Sequence, residues 1–174
     1  MYATAADWVT AYGMGELFML ARDEDCQLTH YLLQQAVAGV FDEQSSTREQ
    51  AAATNALARI NAALDYATRR INSYIGLRVS LPLLDAQVVQ TPLKECALAL
   101  SRCHLMDDTD NATERADECC GSWLKWLEQV SKGVVSLGAT AATSSMGSNH
   151  VSSGAVAYTG MLRGYSDMLG GCDE

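Results

Sequence analysis

The chain has 174 residues, a net charge of -9 from 12 basic and 21 acidic side chains, 48% hydrophobic residues, 13 glycines and 2 prolines. That composition can build a core without disulfide staples, and so little proline favours long helices over a turn-rich β sandwich. So acidic a chain is a poor free-standing nucleic-acid binder, which needs a basic face to displace counterions from phosphates.

The N-terminus lacks the basic and apolar regions of a signal peptide, and no apolar run approaches the roughly 18 residues that span a bilayer. The expectation is a soluble protein made inside the cell, with no membrane partner. Thr4 with Asp7 forms a capping-box start, so a short helix is predicted from Ala5 to Tyr12, stopping at Gly13. Gly15 to Ala21 adds another turn or two, and Arg22-Asp23-Glu24-Asp25 reads as a charged connector. A second helix is predicted over Leu28 to Phe41, with Leu33, Val37, Val40 and Phe41 on one face. The polar stretch Asp42 to Ser46 then reads as a loop ending in a cap.

From Arg48 to Ile75 the chain has neither proline nor glycine and is rich in alanine, which marks a long helix. Leu57, Ile60, Leu64, Ala67, Ile71 and Tyr74 make one apolar stripe along it, and Asp65 and Arg69 pair outside the stripe. Too short for an independent coiled coil, the stripe reads as a bundle seam. Residues 79–90 allow short strands or an ordered loop equally, since Pro82 demotes a central strand. Thr91-Pro92 reads as a cap and first helical position for a helix over 92–106, apolar nearly all round and therefore central. Asn111 and Glu114 form a further capping box for a helix over 112–132, which closes at Gly133. The expected fold is all-α, a helical bundle with at most short β segments, and Leu64, Ile71, Leu100, Trp123 and Leu127 are expected core positions.

Composition then changes. Of the 23 residues from Gly138 to Gly160, 17 are Gly, Ala, Ser or Thr and none is charged. A flexible chain of that length has a root-mean-square reach of roughly 25 Å. The apolar stretch beyond it, with Tyr158, Met161, Leu162, Arg163, Tyr165, Met168 and Leu169, reads as an assembly arm. The domain reading is a helical body over 1–137, with a flexible linker and arm over 138–174.

Chemistry is sparse. The six cysteines, Cys26, Cys96, Cys103, Cys119, Cys120 and Cys172, show no C-x-x-C pair. A zinc site from Cys96, Cys103, His104 and Cys119 can be drawn, but reduced cysteines packed as small hydrophobes are the better reading. The expectation is no essential metal, no cofactor and no structural disulfide. His104 with Asp107 or Asp108 could pair as a base and its orienter, yet no nucleophile motif or glycine-rich phosphate loop accompanies it. Asp107, Asp108 and Asp110 lack the glycine and distal glutamate of a calcium loop, and Trp123 and Trp126 read as core or interface anchors. No catalytic role is expected.

Four stretches together resemble one family. They are Met1-Tyr2-Ala3-Thr4 with Asp7; Ile71-Asn72-Ser73-Tyr74-Ile75 with Arg78 and Leu81-Pro82-Leu83; Leu98 to Asp108, with Ala99, Arg102 and Leu105; and Trp123, Leu124, Trp126, Leu127, Glu128, Gly133, Val135, Ser136, Leu137 and Gly138. In this order they resemble the head–tail adaptor (connector, or head-completion) proteins of Mu-like tailed phages and prophages. Val79 and Cys103 stand where that family often has tyrosine, and residues 25–56 read as an insertion. Arg163-Gly164-Tyr165 is similar to the family's tail ending.

The resemblance implies a structural virion protein at the neck, assembled in the host cytoplasm. It implies a homo-oligomeric ring of twelve, bound by its arms to the portal protein and on its other face to a neck or tail-completion protein. DNA would pass through the ring without sequence-specific binding, and an acidic wall suits a sliding genome. The alternative is a cytosolic helical binding or regulatory protein using a bundle groove, with a metal- or thiol-dependent enzyme third.

Overall fold

The computed structural model describes residues 1–22, 27–107 and 114–137, and every regular element among them is helical. The helices are α1 (Ala5–Tyr12), α2 (Met14–Ala21), α3 (His30–Ala38), α4 (Thr47–Ile75), α5 (Asp85–Val88), α6 (Leu93–Asp107) and α7 (Glu114–Lys132). The fold is all-α, and residues 79–90 hold the single-turn α5 in an irregular connection where strands or a loop were open alternatives.

Helix boundaries follow local chemistry. Thr4 Oγ1 accepts the Asp7 N–H at 3.2 Å while the Asp7 carboxylate accepts the Thr4 N–H at 2.9 Å, which satisfies two of the helix's orphan donors. Ser46 and Glu49 form the same reciprocal pair ahead of α4. The helix expected over Leu28–Phe41 is shorter at both ends, because Thr29 accepts the Leu32 N–H and starts it there. Gly39, at φ 75°, ends α3 in a left-handed cap, its N–H donating to Ala36 O and the Val40 N–H to Gln35 O. Val40 therefore falls outside the helix and is exposed. Thr91 does not cap α6: its hydroxyl donates back to Val88 O at 2.8 Å, and the Pro92 carbonyl accepts the first helical bond from Cys96. The Asn111 cap lies outside the described residues.

The 29 residues of α4 make it about 43 Å long at the helical rise, and α1, α2, α3, α6 and α7 all pack against it. Its buried face is wider than one stripe. Ala52, Ala53, Ala56 and Ala63 join Ile60, Leu64, Ala67, Ile71 and Ile75, because α3 lies along its first half and α6 and α7 along its second. Leu57 and Tyr74 are half-buried at the edges of that face. Residues 25–56 contribute Leu32, Leu33, Ala36, Ala53 and Ala56 to the same core.

Helix α6 is enclosed as its composition demands, with Leu93, Cys96, Ala97, Leu98, Ala99, Leu100, Ser101 and Leu105 buried. Leu64, Ile71, Leu100, Trp123 and Leu127 are all buried. One expectation is corrected. Cys103 of α6 and Cys120 of α7 form a disulfide, their Cα atoms 6.5 Å apart, within the span such a bond bridges. The two residues lie 17 apart in sequence and meet only because α6 and α7 pack together, so no local spacing motif announces them.

Leu100 sits at 5% exposure between neighbours that are themselves buried. Leu100→Ala should lower unfolding stability by about 2–5 kcal/mol, since a closed core relaxes only partly around a lost isobutyl group. Urea titration followed by circular dichroism measures it, and a loss below about 0.5 kcal/mol would contradict a central α6.

Candidate assembly surface

Separate stretches of sequence converge at one end of the bundle. The Tyr2 backbone N–H donates to Thr68 Oγ1 at 3.4 Å and its hydroxyl donates to Asn72 Oδ1, which lays the N-terminus against the last turns of α4. Burial pushes the Tyr2 phenol up to about 12, so it remains a donor throughout the neutral range. Lys94 Nζ meets Asp7 Oδ1 at 2.5 Å and joins the starts of α6 and α1. Beyond α4, Arg78 Nε donates to Ser131 O at 2.8 Å, binding the connection to the carbonyl end of α7, where a cation also complements the macrodipole.

That end of α7 is closed by Gly133 at φ 74°, with Gly133 N–H donating to Val130 O and Val134 N–H to Gln129 O. A Cβ at Gly133 would lie 3.0 Å from the Arg78 guanidinium, so glycine is needed both for its backbone angle and for the cation's approach. The chain then runs past a hollow of about 200 Å³ beside Val79 and Val135 to Leu137, which is buried.

The same end is unusually apolar. Met1 (67% exposed), Leu77 (82%), Leu81 (39%), Leu84 (70%), Val89 (85%) and Val134 (74%) are six of the nine large hydrophobic residues exposed among those described. Val79 and Leu83 turn inward onto the core and hold the connection in place. Nothing in the helical periodicity pointed to this patch. Its signal was composition, an aperiodic apolar run from Leu77 to Val89 where a solvent loop should be polar.

Away from that end, Arg102 Nε meets Glu16 Oε1 at 2.5 Å with its guanidinium 4.9 Å from the centre of the Tyr12 ring, tying α6 to α1 and α2. His104 stacks on Tyr66 with ring centres 4.2 Å apart. Arg70 donates to the Tyr66 hydroxyl at 2.9 Å and, with Arg69, Ser73 and Tyr74, lines an open hollow of about 380 Å³. Of the partners sketched for His104, Asp107 is the last residue of α6 and Asp108 lies outside the described residues, as does Asp110 of the acidic stretch. Trp123 and Trp126 meet edge to face, ring centres 5.7 Å apart, with Trp123 in the core. The drawn zinc set does not assemble from Cys103, which is bonded to Cys120. Burial pushes the Cys96 thiol up, helped by the Glu95 charge, so it packs as a neutral hydrophobe. Among the described residues no helix is long and apolar enough to cross a membrane.

The family described as "Bacteriophage Mu, Gp36" matches residues 2–153. The chain belongs to that family. It is a Mu-like phage protein, of structural or assembly type, and the match spans the whole bundle with part of the segment after it. No curated protein and no solved structure matches this Gp36-family chain. Of the stretches that carried the resemblance, Tyr2 reaches Asn72 and Arg78 reaches Gly133, so they are neighbours in space. The arm residues Tyr158, Met161, Leu162, Arg163, Tyr165, Met168 and Leu169 lie outside the described residues.

Two predictions follow from this end of the bundle. Gly133→Ala should lower stability by about 1–2 kcal/mol, because alanine resists the left-handed angle and its methyl meets Arg78. Gly121→Ala, within α7 and with open space around it, should raise stability by about 0.5–1 kcal/mol. Thermal melts of the two variants compare them directly.

The third concerns acid. Partial burial raises the Asp7 carboxyl, but hydrogen bonds from Lys94 and from the Thr4 side chain and backbone, with the Lys94 charge, outweigh it, and the net shift is downward. A depressed carboxylate stabilises the fold above its unfolded value of about 3.9 and loses that contribution as pH falls through its folded value. Asp7→Asn should therefore cost stability at pH 7 and cost progressively less below pH of about 4, as urea midpoints across that range will report.

Proposed function

We propose that this chain is a head–tail adaptor of a Mu-like phage, a structural virion component that forms a ring, of about twelve copies, between the portal and the neck or tail and extends the DNA channel. The twelvefold count comes from the resemblance. The observation that carries the reading is the match of the family over residues 2–153, on a chain in which three of the four resembling stretches meet at one end of a helical bundle. Three features support it. Lys94–Asp7, Arg102–Glu16 and Arg78–Ser131 tie helices to one another, and with 12 basic against 21 acidic residues the charge balance does not favour gripping DNA. The net charge of -9 suits a channel wall along which a genome slides. An exposed apolar end on a rigid body suits a protein that works in an assembly.

In this reading the body makes no catalytic contribution, takes no cofactor and acts at the neck after assembly in the host cytoplasm. The segment over 138–174 is the assembly arm. Many weak arms on one ring act together, since each docked arm raises the effective concentration of the next.

Truncation after Leu137 retains the last buried residue of the body. The truncated protein should keep its helical circular dichroism but lose stable attachment to the portal, seen by negative-stain imaging of the protein mixed with its phage's portal. Filled heads joined to tails at normal efficiency by the truncated protein would rule out the arm as the attachment device.

A further inference from the structure

We propose that Cys103 and Cys120 are a reversible oxidation site, a pair of thiols while the chain is assembled in the cell and a disulfide once it has left, and that the bond sets how firmly the start of α7 is held to α6. The two compartments come from the adaptor reading, on which that part of the inference rests. The chemistry of the pair does not depend on it.

Cys103 stands in the last turns of α6 and Cys120 in the second turn of α7, with Cα atoms 6.5 Å apart. Helix packing sets that spacing, with Trp123, Leu127 and Val130 of α7 buried in the core, so the two residues stay neighbours when the bond opens. Their surroundings differ. Cys103 is half-buried and Cys120 is 9% exposed, so one residue of the pair can be reached by a small thiol or disulfide and the other sits behind it. Cys96 lies two turns earlier on α6, fully enclosed, with its thiol pushed up by burial. It does not compete for either partner.

The oxidant is a low-molecular-weight disulfide of the glutathione class. The Cys103 thiolate attacks one of its sulfurs, the S–S bond breaks, one glutathione thiolate leaves, and a mixed disulfide forms on Cys103. Cys120 gives its proton to solvent, and its thiolate attacks the Cys103 sulfur and releases the second glutathione. Two protein thiols are oxidised and one glutathione disulfide is reduced to two thiols. Excess reduced glutathione runs the same steps backwards, which is the condition of a cell interior, whereas the bond persists outside.

The bond acts on one end of α7. At the other end Arg78 Nε donates to Ser131 O, 11 positions beyond Cys120 and about 16 Å along the helix. Of the side chains described in residues 114–120, Glu118 is exposed and Cys120 is buried, so the disulfide is the tie that those side chains supply. Opening it lets the first turns of α7 separate from α6 while the far end stays anchored.

The test uses the full chain, equilibrated in excess reduced glutathione or in excess glutathione disulfide, quenched with acid, alkylated and mapped by mass spectrometry. Cys103 and Cys120 should be thiols in the first buffer and joined to each other in the second, with Cys96 a thiol in both. The oxidised chain should melt about 10 °C above the reduced one. At labelling times short enough that α4 is protected in both forms, residues 114–122 should exchange their amide hydrogens about tenfold or more faster in the reduced chain. Cys103→Ser with Cys120→Ser should abolish the difference between the buffers.

A bond that persists in excess reduced glutathione while the helices stay folded, thiols that persist in excess glutathione disulfide, a disulfide to another cysteine, or equal exchange over 114–122 in the two forms would each overturn the proposal. Acid-trapped infected cells and released particles test the compartments, with thiols expected in the cells and the disulfide in the particles. One redox state in both places would overturn that part. Particles that lack the chain altogether would sink the adaptor reading alone, since the glutathione result stands without it.

Discussion

Helix α4 must offer a long apolar face to neighbours on several sides at once, and the rest of the fold is arranged around that demand. Alanine meets it. Ala52, Ala53, Ala56, Ala63 and Ala67 are buried and favour the helix, and their small side chains let neighbouring helices come close. The larger Ile60, Leu64, Ile71 and Ile75 fill the spaces left between. Because α1, α2, α3, α6 and α7 all lean on this one helix, their relative positions are set through it. Even its polar residues serve the contact. Thr68 returns its hydroxyl proton to Leu64 O at 2.9 Å and receives the Tyr2 N–H, while Arg59 donates to the Ala21 carbonyl at the end of α2.

A second constraint is the scarcity of positive charge. With 12 basic residues against 21 acidic ones, each cation has several anions to choose from. The described cations are used mainly as ties between elements or along one helix. The exposed i,i+4 pairs Arg69–Asp65 and Lys132–Glu128 contribute little, being solvated and screened. Arg102 differs, because it is mostly covered, pairs with Glu16 and lies over the Tyr12 ring, so its charge and its stem both join α6 to the N-terminal helices.

The exposed apolar end completes the physical picture. A body whose exposed apolar residues sit on backbone tied to α4, α7 and the core presents that end without having to order it first.

The sequence by itself determined whatever depends on neighbours along the chain. The capping box at Thr4–Asp7, the cap that ends the loop at Ser46, the Gly133 stop, the stripe of α4 and the all-round burial of α6 were legible because capping and helical periodicity act over three or four residues. Only the tertiary structure decided the rest. Cys103 and Cys120 are too far apart in sequence for any spacing rule, and they meet because α6 and α7 pack together. Thr91 looked like a cap, yet its hydroxyl donates back to Val88 O in the connection before the helix. Arg78 against Gly133 and Arg102 against Glu16 join residues 55 and 86 positions apart, whose partners could not be chosen among so many acids and carbonyls without the fold. The apolar end is the clearest case: Met1, Leu77, Leu84, Val89 and Val134 are unremarkable singly, and become a surface only because antiparallel packing brings a terminus, a connection and a helix end to one place.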